Sequence, residues 1–282
     1  VPMGQYNFDQ ILDRTHTKSL KYDFAVKRGK PADVLPFWVA DMDFEIPPEL
    51  KQILLDRVNH GVFGYTESDD EYFDVLQNWF STRFNWIPEQ KWLVKTPGIV
   101  FALAMAVRAF TKEGEGVLIN QPVYYPFSMV IDDNNRHLIN VPLIKGEERY
   151  TIDFEGIERA IVEENVTLFL LCNPHNPVGR VWTEDELKRL GDICIKHNVL
   201  IVSDEIHADF VWKGHTHKVF AALGESYAEH CIVCTAPSKT FNIAGLQVSN
   251  IFIPNDSLRR RFIKEIDRAG YSQLNTMGIV GC

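Results

Sequence analysis

The chain has 282 residues, 45% of them apolar and 24% charged, enough to bury one large core or a large domain with a small appendage. A net charge of −9 argues against nucleic acid or an anionic membrane surface as the main partner. No run of about 18 apolar residues offers a membrane span, and no basic-then-apolar stretch at the start offers a signal peptide.

In chain order, Val1-Pro2-Met3-Gly4 reads as a short remnant ahead of a native start at Met3. Residues 1–45 lack a regular rhythm and are expected to pack elsewhere, on a small second domain. From residue 46 onward helical and strand patterns alternate. Pro47-Pro48 opens a helix. Ser68-x-x-Glu71 and Thr183-x-x-Glu186 have the spacing of capping boxes, Asp153 caps a third helix, and Asp256 or Ser257 caps the last. Apolar runs at Gly116–Asn120, Leu138–Leu143, Thr167–Cys172, Val199–Ser203, Cys231–Ala236 and Val248–Ile253 read as buried strands. Strands spaced by helices need crossover connections. The expected fold is therefore α/β, a mostly parallel central sheet with helices on both faces.

The five cysteines lie mostly in apolar runs and read as reduced thiols, which fits a cytoplasmic protein. Cys231 and Cys234 have CxxC spacing, but residues three apart on a strand face opposite ways, so neither a metal pair nor a redox pair is expected.

In an open α/β sheet, ligands bind outside the carboxyl ends of the strands. Three successive strands end in polar sequences: Asn173-Pro174-His175-Asn176-Pro177-Val178-Gly179, Asp204-Glu205-Ile206-His207, and Pro237-Ser238-Lys239-Thr240. Upstream, Thr96-Pro97-Gly98-Ile99-Val100 leads into the helical run Phe101–Phe110, and a glycine turn at a helix start suits a phosphate. One site would thus hold a lysine, an aspartate, an asparagine and a phosphate cup.

This set, in this order, resembles the fold-type-I pyridoxal-phosphate enzymes, the aspartate aminotransferase superfamily, over essentially the whole chain. Trp38-Val39-Ala40-Asp41-Met42-Asp43-Phe44, Asp204-Glu205-Ile206-His207 and Ser238-Lys239-Thr240-Phe241-Asn242-Ile243-Ala244-Gly245-Leu246 resemble the cystathionine β-lyase-type C–S lyases within it. The resemblance implies pyridoxal 5'-phosphate as cofactor, with Lys239 as the lysine that carries it and moves the substrate's Cα proton. Asp204 would keep the pyridine nitrogen protonated, and Asn176 would bond the ring's phenolate oxygen. Asn173 would shape the turn. Tyr124 would stack on the ring, with Tyr125 as the alternative.

His207 would contact the cofactor. Many aminotransferases carry tyrosine there and the lyase relatives histidine, so this position favours lyase. Gly98, Ile99 and Val100 would offer backbone donors to the phosphate, and Ser238 a hydroxyl. Tyr65 would reach the phosphate of a neighbouring subunit, which implies a homodimer; a buried core tyrosine is its plainer alternative. Gln247 stands where many relatives place an arginine that grips the phosphate. The arginine that binds the substrate carboxylate is expected past Cys282, in a C-terminal small domain that this sequence does not include. Residues 46–282 would form the large cofactor-binding domain. The implied reaction is β-elimination from a sulfur amino acid, giving pyruvate, ammonia and a thiol. Aminotransferase is the runner-up, and a regulatory or merely cofactor-binding protein stays open.

Overall fold

The protein is seen in a computed structural model that describes residues 6–282; the expected remnant at residues 1–4 lies outside the described residues. Strands buried on both faces are built from unbroken apolar runs rather than alternating ones. That composition makes the sheet's centre: β2 (Gly116–Ile119), β6 (Val166–Cys172), β7 (Leu200–Asp204), β8 (Cys231–Thr235) and β9 (Ser249–Phe252). β1 (Leu93–Thr96) and β3 (His137–Asn140) close the two edges, and β4 (Ile144–Lys145) with β5 (Tyr150–Thr151) forms a separate small hairpin.

The sheet order is β1-β9-β8-β7-β6-β2-β3. From β3 to β8 every pairing is parallel, and β9 runs antiparallel to both β8 and β1. β1 and the hairpin were not legible as strands. Leu93-Val94-Lys95-Thr96 is short and half-polar because an edge strand buries alternate residues only.

Between the strands run α1 (Pro48–His60), α2 (Asp70–Phe84), α3 (Ile99–Phe110), α4 (Pro126–Asp132), α5 (Phe154–Glu163), α6 (Glu184–Lys196), α7 (Glu225–Ala228), α8 (Asp256–Arg268) and α9 (Thr276–Val280). Two cores follow from the alternation of strand side chains. One face packs Leu103 and Ala106 of α3, Phe127 of α4 and Phe262 of α8 against Leu170, Val202 and Cys234. The other packs Phe80 of α2, Ile157 of α5 and Leu190 of α6 against Phe169, Ile201 and Cys231. Cys231 and Cys234 therefore lie on opposite faces, and all five cysteines are free. Among the described residues no helix is long and apolar enough to cross a membrane.

The helix starts divide into agreements and corrections. Pro48 opens α1, and Asp153 caps α5 by accepting from the Gly156 N–H at 2.9 Å. Thr183 and Glu186 form the reciprocal box on α6: Thr183 Oγ1 accepts from the Glu186 N–H at 3.2 Å, and Glu186 Oε2 accepts from the Thr183 N–H at 2.8 Å. Ser68 and Glu71 do not form one. Asp69, an equally good acceptor, caps α2 through the Tyr72 N–H at 3.1 Å, while the Ser68 hydroxyl turns to Glu67 and Lys95. At α8 the cap is Asn255, accepting from the Leu258 N–H at 3.1 Å. Asp256 sits inside the first turn instead, paired with Arg259 at 2.7 Å.

The α6 cap is reinforced from outside the helix, because Arg180 donates to both Glu186 oxygens at 2.8 Å. Thr183→Ala removes the cap oxygen and should cost about 1 kcal/mol of stability, read as a lower urea midpoint at unchanged m-value.

Candidate active site

The registers of β6, β7 and β8 place Cys172 opposite Asp204 and Asp204 opposite Cys234, so their carboxyl ends share one edge. Two antiparallel pairings in succession, β8 with β9 and β9 with β1, turn β1 parallel to β8. The turn after Thr96 therefore opens at the same edge as the polar sequences that follow β6, β7 and β8.

Asp204 is 5% exposed, and one of its oxygens accepts from the Ile206 N–H at 3.1 Å. Burial raises its carboxyl to about 7; the Ile206 N–H opposes this, Glu205 adds to it, and Lys239 again opposes it. Lys239 stands in the turn after β8, with no hydrogen-bond or ion-pair partner for its amine among the described residues. Burial first, and then the Lys239 charge, holds His207 below the usual histidine range. Burial, the neighbouring Tyr125 and the Asp204 charge together push the Tyr124 hydroxyl up. Tyr124, Asp204, His207 and Lys239 thus sit within electrostatic reach of one another. Tyr125 packs edge-on to Tyr124 at 5.3 Å but is 69% exposed, against 38% for Tyr124.

At the end of β6 the chain is pinned by its own side chains. Asn173 is fully buried and donates to the Lys218 carbonyl at 3.1 Å, which makes it a turn-shaping residue. Asn176 donates its backbone N–H to the Cys172 sulfur at 3.3 Å, and its side-chain amide has no partner among the described residues. His175, between them, meets the Pro122 carbonyl at 2.9 Å through Nε2 and packs edge-on to Trp182. It ties the Asn176 turn to the loop that carries Tyr124, and burial keeps it neutral by lowering it to about 4.

Gly98 begins α3 at φ 115°, ψ 157°, with open space where a Cβ would go, so the backbone conformation rather than crowding calls for glycine. The Ala102 N–H is the first to find a helix acceptor, the Gly98 carbonyl at 3.3 Å, which leaves those of Ile99 and Val100 without an intrahelical partner. Ser238 is 9% exposed and its hydroxyl has no hydrogen-bond partner among the described residues. Gln247 is exposed, in the left-handed region at φ 52°. Tyr65 is 96% exposed, which removes the buried-core alternative; within one chain it does not join the cluster.

Two features were not read from the sequence. The Asn242 amide clasps the N-terminal segment: Oδ1 accepts from the Met42 N–H, and Nδ2 donates to the Met42 and Phe44 carbonyls, all at 3.0 Å. Arg14 bridges Asp41 at 3.1 Å and Asp43 at 2.8 Å, which stiffens that segment from behind. The second feature is Glu205, fully buried with His217 at 2.8 Å. Its adjacency to Asp204 was the available signal.

The sequence matches the family described as Aminotransferase class I and II over residues 32–279. It is 43% identical over 273 residues to cystathionine beta-lyase PatB of Bacillus subtilis, covering 97% of this chain and 70% of that protein. A PLP-bound putative aminotransferase of Clostridium difficile superposes with a TM-score of 0.95 at 42% identity, covering 98% of this chain and 71% of that one. Cystalysin of Treponema denticola, whose structure contains a pyridoxal 5'-phosphate cofactor, does so with a TM-score of 0.93 at 41% identity, again covering 98% and 71%. With its fold, its strand-end cluster and a family match across most of its length in agreement, the chain belongs to the class I and II aminotransferases.

Proposed function

We propose that this chain is the cofactor-binding body of a pyridoxal 5'-phosphate-dependent carbon–sulfur β-lyase. The observation that carries the reading is Asp204: a buried carboxyl raised to about 7, beside a lysine with no partner among the described residues, at the carboxyl edge of a parallel sheet. Such a carboxyl has no directly paired cation among the described residues, and a protonated pyridine nitrogen would be one. The free amine of Lys239 suits an aldehyde. The backbone donors of Ile99 and Val100 beside Gly98, with the Ser238 hydroxyl, suit a phosphate without an arginine at Gln247. The spare amide of Asn176 suits a phenolate oxygen, and the half-exposed ring of Tyr124 offers a stacking face, with His207 beside Lys239.

Pyridoxal phosphate, when bound, supplies an electron-withdrawing ring joined to the substrate's amino group, so that a proton on Cα becomes acidic. Asp204 holds the proton on the ring nitrogen. The Lys239 Nζ takes the Cα proton of the substrate, and Tyr124 covers one face of the site and excludes water there. Loss of a thiolate from Cβ, with its protonation to the thiol, would leave 2-aminoacrylate, which water hydrolyses to pyruvate and ammonia. Elimination is preferred over transamination because PatB, at 43% identity, is named a cystathionine beta-lyase and because a C–S lyase from Staphylococcus hominis superposes with a TM-score of 0.90. His207 and the Trp38–Phe44 segment point the same way.

The exposed Tyr65 ring and the wholly unburied α1 support a homodimer in which Tyr65 serves the neighbouring subunit's phosphate. Residues 46–282 form the large cofactor-binding domain, with the N-terminal segment ahead of it packing on a small domain, and five free thiols suit a reducing cytoplasm.

Borohydride treatment of the pyridoxal-phosphate-loaded protein, followed by peptide mapping, should label Lys239, and Lys239→Ala should abolish the label while loose binding persists. A label on another lysine would sink the assignment. Asp204→Ala should lower turnover by about 10²-fold or more, as expected for one preorganised electrostatic partner, in a steady-state assay of thiol release. With cystathionine or a cysteine S-conjugate, thiol and pyruvate should appear without added α-keto acid. Strict dependence on the keto acid, with no free thiol, would establish the aminotransferase reading instead.

A further inference from the structure

Ser203, Asp204 and Glu205 are three consecutive buried polar residues, at 0%, 5% and 2% exposure. Neighbours along a strand face opposite ways. Val202 belongs to the core under α3, α4 and α8, and Ile201 to the core under α5 and α6, so Asp204 shares the first face and Ser203 and Glu205 the second. The two carboxyls therefore stand back to back across the end of one strand.

Their surroundings are unequal. Glu205 accepts from the Ser203 hydroxyl at 2.9 Å, the Phe220 N–H at 2.9 Å and His217 Nε2 at 2.8 Å, with both side chains of the last pair at 0% exposure. His217 Nδ1 is buried with no partner among the described residues, and Phe84 packs edge-on to the ring at 5.4 Å. With Nδ1 facing no acceptor, the geometry fits His217 donating to Glu205 from Nε2. Glu205 is thus held by three donors. Asp204 has the Ile206 N–H alone.

We propose that Glu205, held by His217, Ser203 and the Phe220 amide, is the positioning residue of the site: it keeps the buried negative charge on the far face of β7 and leaves Asp204 as the carboxyl that faces a cation arriving on the near face. The groups that face Asp204 are consistent with this. Glu205 lies beyond it on the same strand end, Tyr124 comes from the loop ahead of α4, and His207 from the loop after β7. The Cys172 and Cys234 thiols come from β6 and β8, both pushed up by burial and then by the Asp204 charge. Lys239 is the cation among them, and it opposes the rise in Asp204. The proposal rests on the functional reading above only in taking pyridoxal phosphate as the ligand that brings the second cation.

The test uses the cofactor-free 282-residue chain with carbon-13 in its aspartate carboxyls, the Asp204 resonance being identified by its loss in Asp204→Asn. The wild type should titrate with a midpoint near neutrality. Glu205→Gln should move that midpoint acidward, lowering the proton affinity of Asp204 on the order of tenfold. Ser203→Ala leaves the Glu205 charge in place with one donor fewer, so the field at Asp204 grows and the midpoint should move slightly alkaline. A midpoint unmoved in both variants overturns the proposal, and if Glu205→Gln fails to fold, Ser203→Ala alone decides. Adding pyridoxal 5'-phosphate to the wild type at a pH below the midpoint should drive the resonance to its charged position. Midpoints that shift as expected while pyridoxal phosphate leaves the resonance unmoved count against the functional reading and leave the division of charge standing.

Discussion

The in-register parallel pairing of β6, β7 and β8 is the constraint from which the rest of the molecule follows. Parallel strands must be joined by crossovers, so helices cover both faces, and the strand ends that share a direction collect at one edge. Because Asp204 pairs with Cys172 on one side and Cys234 on the other, the residues that follow each strand cannot avoid one another. A slip of one residue in β7 would exchange the faces of Asp204 and Glu205 and bring the wrong carboxyl to the site. The apolar cores on either side forbid that slip, since it would also turn Val202 and Ile201 toward the wrong helices.

Much of this was legible because the informative features are local. Unbroken apolar runs gave the central strands, and the polar residue after each run marked the ligand edge. Lys239, Asp204 and Asn176 stand in the polar sequences after such runs, and the roles expected of them and of Tyr124 came from the resemblance. What escaped depends on partners distant in sequence or on near-equal local choices. Asp69 and Asn255 displaced neighbouring candidates as caps because several adjacent residues can accept the same N–H, and only the helix's exact start chooses between them. β1 was hidden because an edge strand carries a half-polar pattern. Glu205, His217 and Asn242 were hidden because burial of a charge or an amide is a fact about the whole fold.

The electrostatics of the site turn on a buried carboxyl with no directly paired cation among the described residues. Asp204 is costly where it stands, with one backbone donor and a second carboxyl across the strand. Cost of this kind is common where a protein reserves a position for a ligand, and the strain is relieved on binding rather than in the free chain. The folded chain keeps the Asp204 proton up to about pH 7, whereas an unfolded one releases it in the ordinary carboxylate range. This residue therefore makes the cofactor-free fold progressively less stable as pH climbs through that window, and a bound cation removes the penalty.

The Asn242 clasp joins residues 200 apart in the sequence with three hydrogen bonds from one amide. Each such bond contributes about 0.5–1.5 kcal/mol, so the clasp holds only once both of its halves exist. The first is made 200 residues ahead of the second, which is the turn just past Lys239 and follows β1 to β8 in the chain. Docking of residues 42–44 through this amide therefore cannot precede the making of residue 242. A ribosome-bound chain released before residue 242 would carry the segment loose, open to proteases and chaperones, so that the seating of residues 41–44 doubles as a record that the lysine has been made and put in place.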